Sequence, residues 1–388
     1  MRRFGSLIGN PVWRHSRIAL GALLGLALWL PAAVAQAQPQ PPAVELRSKA
    51  PDDWQQDWER TVAAAKKEGE LVISGPSGRN WRDFLMEFQK AYPEITVKVT
   101  PSAGRDFWPR LIKEREIGQY LWDLRVGGSD NNTHVLRRQG YFAPIRDILI
   151  LPDVLDDNVW WGGIDGLFND TDKRYLLTYA MYEQGMAHFN TKFIKGPLTL
   201  QDVVKPEYMG KISMADPRGG SSLSTIAVIL KFYGEDFVKK LIVDQKPVIT
   251  KEPRQQMQWL ASGRYPITFG MPTAAMVEYA ERGASVAEFG KVEGPLAWSQ
   301  GVGGASLLTR APHPNASKLF LNWLLTKDVQ ESLMAAVKLN SRHKAVTIYD
   351  PENAIDTAKL SESVGSQSEE ITEYQDRAAK LLREIMAQ

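Results

Sequence analysis

Three strand–loop–helix units follow one another between Glu70 and Gly140, and this succession restricts the fold more than any other feature of the chain. Each begins with a short apolar stretch: Glu70–Ser74, Ile95–Thr100 and Asp123–Val126. Each then passes through a turn rich in Gly, Ser and Pro and continues into a helix. The first helix is expected to be capped by Asn80, to turn Trp81, Phe84, Leu85 and Phe88 inward, and to stop at Pro93. The second carries Leu111 and Ile112 and ends near Gly118; the third runs from Asn131 to Gln139, with Gly140 as its C-terminal cap. An amphipathic helix precedes them, with Asp53 as N-cap, Trp54, Trp58, Val62 and Ala65 on one face, and Gly69 after its end. Successive units of this kind imply an α/β fold: a mixed sheet flanked by helices, with its loops gathered at the strand C-terminal ends.

The chain has 388 residues, more than one typical domain, so two lobes are expected. Leu176–Asn190 reads as one long strand leaving the first lobe and entering the second. Lys211–Ala215 is then a strand, Asp216–Gly220 a turn, and Ser221 or Ser222 the N-cap of a helix bearing Ile226, Ile229 and Leu230. Helical spacing recurs at Asp236–Leu241 and Gln255–Ser262, and Pro266–Gly270 is a short strand. Trp298–Thr309 reads as the strand returning to the first lobe, followed by helices at Asn315–Leu325, Lys327–Val337 and Glu370–Met386. The expected division is therefore 52–178 for the first lobe, 179–297 for the second, 298–345 for the return, and 346–388 for a C-terminal helical segment. In the irregular stretch Asp153–Thr171 of the first lobe, Trp160-Trp161-Gly162-Gly163 either lines a cleft or fills a gap, which is the ordinary role of a buried tryptophan.

Residues 1–37 have the layout of an export signal. Arg2, Arg3, Arg14 and Arg17 precede the apolar run Ile18–Leu30, and small residues follow at Ala33–Ala37. The run falls short of the ~20 residues a spanning helix needs. Residues 38–51 are a Pro/Gln-rich spacer. Removing the signal takes four arginines from a formal charge of +2 and leaves about −2, which gives no support to nucleic-acid binding. The absence of cysteine excludes disulfides, thiolate metal sites and a lipid-anchoring N-terminal cysteine. The expectation is a monomer in a Gram-negative periplasm.

Catalytic patterns are missing. There is no GxSxG, HExxH or P-loop, and His134, His188, His313 and His343 are scattered. No enzyme activity, cofactor or metal site is therefore expected. The stretch Tyr208–Leu230 instead brings glycines, hydroxyls and a helix start together at Gly220, Ser221 and Ser222, which serves either as half of an anion grip or simply as a helix cap. A micromolar complex needs about −8 kcal/mol, and a helix dipole supplies only ~0.3–1. Charge-assisted hydrogen bonds of about 1.5–3 kcal/mol would have to close the gap. Arg79, Arg105 and Arg218 sit in loops where a guanidinium fork could meet a carboxylate, phosphonate or sulfonate, or could simply be solvated. Asp130 either receives an amine or caps the helix at Asn131. Tyr179 and Tyr182 lie on the crossing strand, with Tyr182 the candidate for the cleft.

Three segments, Ala64–Gly75 (AAKKEGELVISG), Lys205–Ser222 (KPEYMGKISMADPRGGSS) and Ala311–Gln330 (APHPNASKLFLNWLLTKDVQ), resemble the extracellular solute-binding proteins of ABC importers, in the branch of ferric-ion and phosphonate binders. The resemblance implies a two-lobed periplasmic-binding-protein type II fold with strand hinges, a ligand in the cleft, and delivery to an inner-membrane ABC permease. It also implies that Gly220, Ser221 and Ser222 match an anion-holding loop, and that Ser77, Arg79, Ser129 and Asp130 match ligand-facing loops. Ferric binders carry adjacent tyrosines near the position of Phe269–Pro272, and none is present here; Tyr265 and Tyr279 only flank it. That departure points to a small anionic organic solute. The alternatives are ferric ion with a synergistic anion, a periplasmic enzyme on the same scaffold, or a ligand-loaded partner for a membrane sensor.

Overall fold

Alternating apolar residues and glycine-rich turns make the first three units fold as βα repeats. The computed structural model describes residues 52–218, 220–271 and 289–387. The export signal, the spacer, Pro272 and Tyr279 lie outside the described residues. Helix α1 (Trp54–Glu68) ends at Gly69, whose left-handed φ of 69° lets its N–H reach the Ala65 carbonyl. Next come β1 (Glu70–Gly75), α2 (Arg79–Ala91), β2 (Thr96–Pro101), α3 (Gly104–Glu116), β3 (Leu124–Val126) and α4 (Asn131–Arg138). Asn80 is not the cap of α2: the helix begins one residue earlier, behind Gly78, and the Asn80 amide donates to the Ala336 carbonyl at 2.9 Å. The Asp130 alternative resolves toward capping. Its carboxylate accepts from Thr133 N at 2.8 Å, while the Thr133 hydroxyl takes the Asp130 N–H.

After β4 (Phe142–Ala143), α5 (Pro152–Leu155) and β5 (Leu176–Thr178), the expected long strand turns out to be broken. It becomes β5, β6 (Tyr182–Glu183) and β7 (Ala187–Asn190), each in a different sheet. The second lobe continues with α6 (Leu200–Val203), β8 (Ile212–Ala215), α7 (Gly220–Lys239), β9 (Val248–Thr250), α8 (Pro253–Ser262), β10 (Ile267–Phe269) and β11 (Phe289–Lys291). The expected return strand is also two strands, β12 (Ala297–Ser299) and β13 (Gly304–Leu308). Helices α9 (Pro314–Leu324) and α10 (Lys327–Val337), strand β14 (Val364–Gly365) and helix α11 (Glu369–Ile385) complete the chain. Both strands break for the same reason: a segment passing between two sheets must exchange one set of ladder partners for another.

The first sheet has the order β2-β1-β3-β13-β4, with β5 also on β13; its N-terminal strands are parallel and β13 runs antiparallel to its neighbours. The second has the order β11-β7-β10-β8-β9, with β8, β9 and β10 parallel. Each sheet has its own core. Ile73, Phe88, Leu124 and Phe320 belong to the first, and Phe189, Met214, Ile229 and Phe269 to the second. Trp160 is packed completely inside the first core, its indole N–H on the Val154 carbonyl at 2.8 Å, so it fills a gap. Between the sheets lies a three-stranded ribbon, β14-β12-β6, made wholly of crossing segments.

Helix α11 joins the lobes. Ile371, Ala378, Leu381 and Leu382 lie in the second core, alongside residues of α7. Its first residue is bound to the first lobe: the Glu369 carboxylate accepts from Arg137 at 2.9 and 3.0 Å, from Arg138 at 2.8 Å, and from both Thr171 N and Oγ1 at 3.0 Å. Burial pushes this carboxyl up, but the bonds from Thr171 and Arg137 outweigh it and bring its pKa down to about 2, against an ordinary 4.5. A folded pKa below the unfolded one stabilises the fold above about pH 4.5, and the contribution fades as pH falls toward 2. Glu369→Gln is expected to lower the unfolding free energy by about 2–3 kcal/mol at pH 7. The deficit should narrow in urea titrations repeated below pH 4.5, and a deficit independent of pH would contradict this account.

Candidate functional site

Parallel strands gather their following loops at one edge, and in this chain the edges of both sheets open onto a single cavity of about 500 Å³. Behind β3, the start of α4 supplies Asp130, Asn131, Asn132 and His134. Behind β8, the first turns of α7 supply Leu223, Ser224 and Thr225, and behind β10 come Gly270 and Met271. Crossing segments add Tyr182, Gln184, Ser299 and Gly301, and the start of α11 adds Gln367, Ser368, Thr372 and Gln375. Gly270 is needed where it stands. Its φ is 68°, and a Cβ there would come within 2.3 Å of the Ser222 hydroxyl, so only glycine lets β10 end this close to α7.

Gln367 ties the cavity wall together. Its carboxamide oxygen accepts from Ser299 Oγ at 2.7 Å and from Gln300 N at 3.0 Å, and its nitrogen donates to the Ser129 carbonyl at 3.1 Å. Its own backbone carbonyl accepts from Ser129 Oγ at 3.1 Å and pairs with His134 Nε2 at 2.9 Å. First-lobe loop, crossing strand and C-terminal segment are thereby fixed at one residue.

The wall is nearly uncharged. Among the described residues Asp130 is the only acidic side chain lining it, no Lys or Arg lines it, and both histidines stay neutral near pH 7. Burial, helped by Lys291, holds His188 at about 4, and burial also lowers His134. Hydroxyls and carboxamides do the polar work. Gln184 Nε2 lies 3.3 Å from Thr225 Oγ1 and Gln375 Nε2 lies 3.0 Å from Ser224 Oγ, while the Tyr182 hydroxyl has no protein partner among the described residues. The first turn of α7 contains no acidic residue of its own to offset the positive end of its dipole.

Of the residues singled out in the sequence, the structure brings Ser129, Asp130 and Tyr182 to the cavity. Ser129 has no capacity to spare: its hydroxyl donates to Gln367 O and accepts from Asn169 at 3.1 Å and Gln300 at 2.8 Å. Gly220, Ser221 and Ser222 lie inside the first turn of α7 instead of capping it, and Ser222 is buried against Gly270. Ser77 is exposed outside the cavity. The three loop arginines also stand away from it. Arg79 faces solvent beside Asp83, Arg105 beside Asp106, and Arg218 grips Asp216 at 2.7 and 2.8 Å. Long cations on loop tips keep their hydration unless a wall closes over them.

Sequence reasoning missed Arg125, which sits at the end of β3 among Ser74, Ser102, Phe107 and Trp108. It is buried with no carboxylate at ion-pair distance among the described residues, and burial lowers its pKa to about 10 despite the pull of Asp130. Ser224, Thr225, Gln184 and Gln367 were missed as well. Ser224 and Thr225 lie within the stretch Tyr208–Leu230, just beyond Ser222, but their spacing marks them only as part of the helix that carries Ile226. Gln367 carried no local signal. Among the described residues there is no group of three or more His, Asp or Glu side chains that could hold a metal ion.

A profile described as bacterial extracellular solute-binding protein matches residues 73–331. No curated protein sequence matches the chain. Solved structures with the same fold include the Trichodesmium protein IdiA/FutA with iron and citrate, at 13% identity and a TM-score of 0.63, covering 82% of this chain and 99% of that one. Ferric iron-binding protein A of Mannheimia haemolytica, in an open conformation, is 14% identical with a TM-score of 0.63 over 82% and 98% of the two chains. The periplasmic binding protein AfuA of Actinobacillus pleuropneumoniae, with fructose-6-phosphate bound, is 19% identical with a TM-score of 0.56 over 82% and 99%.

His188 provides a test of the neutral wall. Its folded pKa of about 4 lies below the ordinary 6.5, so its stabilising contribution is complete above about pH 6.5 and is lost as pH falls toward 4. Wild-type stability is expected to drop between pH 7 and pH 4.5, and His188→Gln should drop less over the same interval. Equal acid sensitivity in the two proteins would show that the imidazole is not buried in its neutral form.

Proposed function

The chain belongs to the family of bacterial extracellular solute-binding proteins, and from that premise we propose that it captures a small anionic organic solute in the cavity between its lobes and releases it unaltered to an inner-membrane ABC permease. The observation that supports this reading best is the start of α7, whose first turn carries no acidic residue, with Ser224 and Thr225 lining a polar cavity that has no Lys or Arg among the described residues. An anion there meets hydroxyls and a favourable dipole. The carboxamides of Gln184, Gln375 and Asn132 and the Tyr182 hydroxyl suit the hydroxyl groups of a polar body attached to it. Four or five such bonds, with the anion engaged in some of them, come close to the ~8 kcal/mol that a micromolar complex requires. The fructose-6-phosphate held by AfuA is a solute of this general kind, with an anionic head on a hydroxylated body.

Capture and release need the lobes to move. Residues 179–186, 300–303 and 339–363 cross between the two sheets, and we place the hinge there. A periplasmic location fits a family that hands solutes to a permease, and among the described residues no helix is long and apolar enough to span a membrane.

The second reading is ferric capture, which the iron and citrate held by the Trichodesmium protein favour, together with the Tyr182 hydroxyl, unpartnered among the described residues. It predicts a phenolate charge-transfer colour on loading with ferric citrate. The anion reading predicts a colourless protein and, in native mass spectrometry of gently purified material, a retained small anion. Against whichever anion is retained, the double variant Ser224→Ala/Thr225→Val is expected to bind at least about tenfold more weakly, roughly 1.4 kcal/mol, with little change in Tm. Unchanged affinity would sink the assignment of the head group to α7, and recovery of a chemically altered solute would indicate an enzyme.

A further inference from the structure

On the other side of strand β12 from the solute cavity lies a second hollow of about 400 Å³. Adjacent strand residues point to opposite faces, so Ser299 lines the cavity while Trp298 lines the hollow. Its remaining walls are Trp161 and Gly162 of the first lobe, Thr357 and Ser361 of the segment leading into β14, and the crossing residues Arg342 and Lys344.

The guanidinium of Arg342 is the feature that needs explaining. The residue is 2% exposed. One nitrogen donates to the Trp161 carbonyl at 2.9 Å, and the group lies 4.6 Å from the Trp298 ring centre, but Nε and the other terminal nitrogen have no partner among the described residues. No carboxylate makes an ion pair with it among the described residues, and burial alone lowers its pKa to about 10, so it is a cation at neutral pH. Backbone is fitted around it. A Cβ on Gly162 would come within 3.2 Å of the guanidinium and one on Gly166 within 2.9 Å. A second cation stands at the rim, where Lys344 Nζ lies 5.4 Å from the Trp161 ring centre and is paired with no acid among the described residues. A buried, uncompensated charge with unused donors is among the costliest arrangements a fold can hold. A ligand that supplies negative charge and acceptors removes that cost.

We propose that this hollow is a second anion site, distinct from the solute cavity, in which Arg342 and Lys344 hold an oxyanion group, carboxylate or phosphate, of a small molecule flanked by Trp161 and Trp298. Its walls come from the first lobe and from crossing segments, so an occupant would bind across part of the hinge.

The test uses the purified protein in low-chloride buffer, titrated separately with inorganic phosphate and with acetate while tryptophan fluorescence and Tm are followed. For at least one of the two, wild type should show saturable fluorescence change and a Tm rise of about 2 °C. Which of them acts identifies the oxyanion. Arg342→Met should abolish both responses without lowering Tm in the anion-free buffer, because it removes an unpaired buried charge. Lys344→Ala, an exposed and structurally harmless change, should weaken binding at least about threefold, and the cavity variant Ser224→Ala should leave it intact. No saturable response to either anion, or a response equal in wild type and Lys344→Ala, would overturn the proposal; so would one lost in Ser224→Ala. If Arg342→Met fails to fold, the Lys344→Ala and Ser224→Ala comparisons decide alone.

Discussion

A chain that crosses between two sheets must leave the hydrogen-bond ladder of one before it joins the other, and its buried peptide groups need partners in between. This requirement shapes the middle of the molecule. The ribbon β14-β12-β6 meets part of it, and the Gln367 carboxamide meets much of the rest by serving Ser299, Gln300 and the Ser129 carbonyl together. Gly301 and Gly303 follow from the same crowding. A Cβ on Gly301 would press on the Tyr182 ring at 3.0 Å, and one on Gly303 would meet Ala180 at 2.2 Å. The solute cavity is the space this ribbon leaves between the two sheet edges.

The two lobes treat charge in opposite ways inside and outside the cleft. Arg79 and Arg105, in the first turns of α2 and α3, and Arg218, in the turn after β8, remain hydrated or pair with a neighbouring acid, where exposed pairs contribute little. Among the described residues Arg125 and Arg342 are buried without a carboxylate, one under the first-lobe loops and one between the crossing segments. The described part of the cavity wall has neither kind of cation. Uncharged donors of this sort hold a guest through many moderate bonds, whereas a buried ion pair concentrates the interaction in one contact.

Much of the architecture was legible because it is local. The periods of 2 and 3.6 marked β1, β2, β3 and the apolar faces of α2, α9 and α11. The spacing of Asp130 and Thr133 is enough to form the capping box at α4, and Gly69 marks the end of α1 through its backbone alone. The crossing strands were read as continuous because Leu176–Asn190 and Trp298–Thr309 each contain apolar residues at both ends and no proline. Apolar content reports that a segment is buried and is silent about which sheet it pairs with. The loop arginines were chosen for their chemistry and position, but side-chain direction and hydration depend on walls built by distant segments.

By itself the sequence determined the repeating βα units, the two-lobed fold and the strand–turn–helix passage from β8 into α7, since each depends on residues within a few positions of one another. Tertiary structure alone decided that a glutamine 238 residues from Ser129 would bind it, that α11 would belong to one lobe by its apolar face and to the other through Glu369, and that Arg342 would be buried without a counter-ion among the described residues. The physical reason is the range of the forces involved. Backbone preference and amphipathic period act along the chain, whereas the partner of a buried polar group is fixed only when remote segments are packed around it.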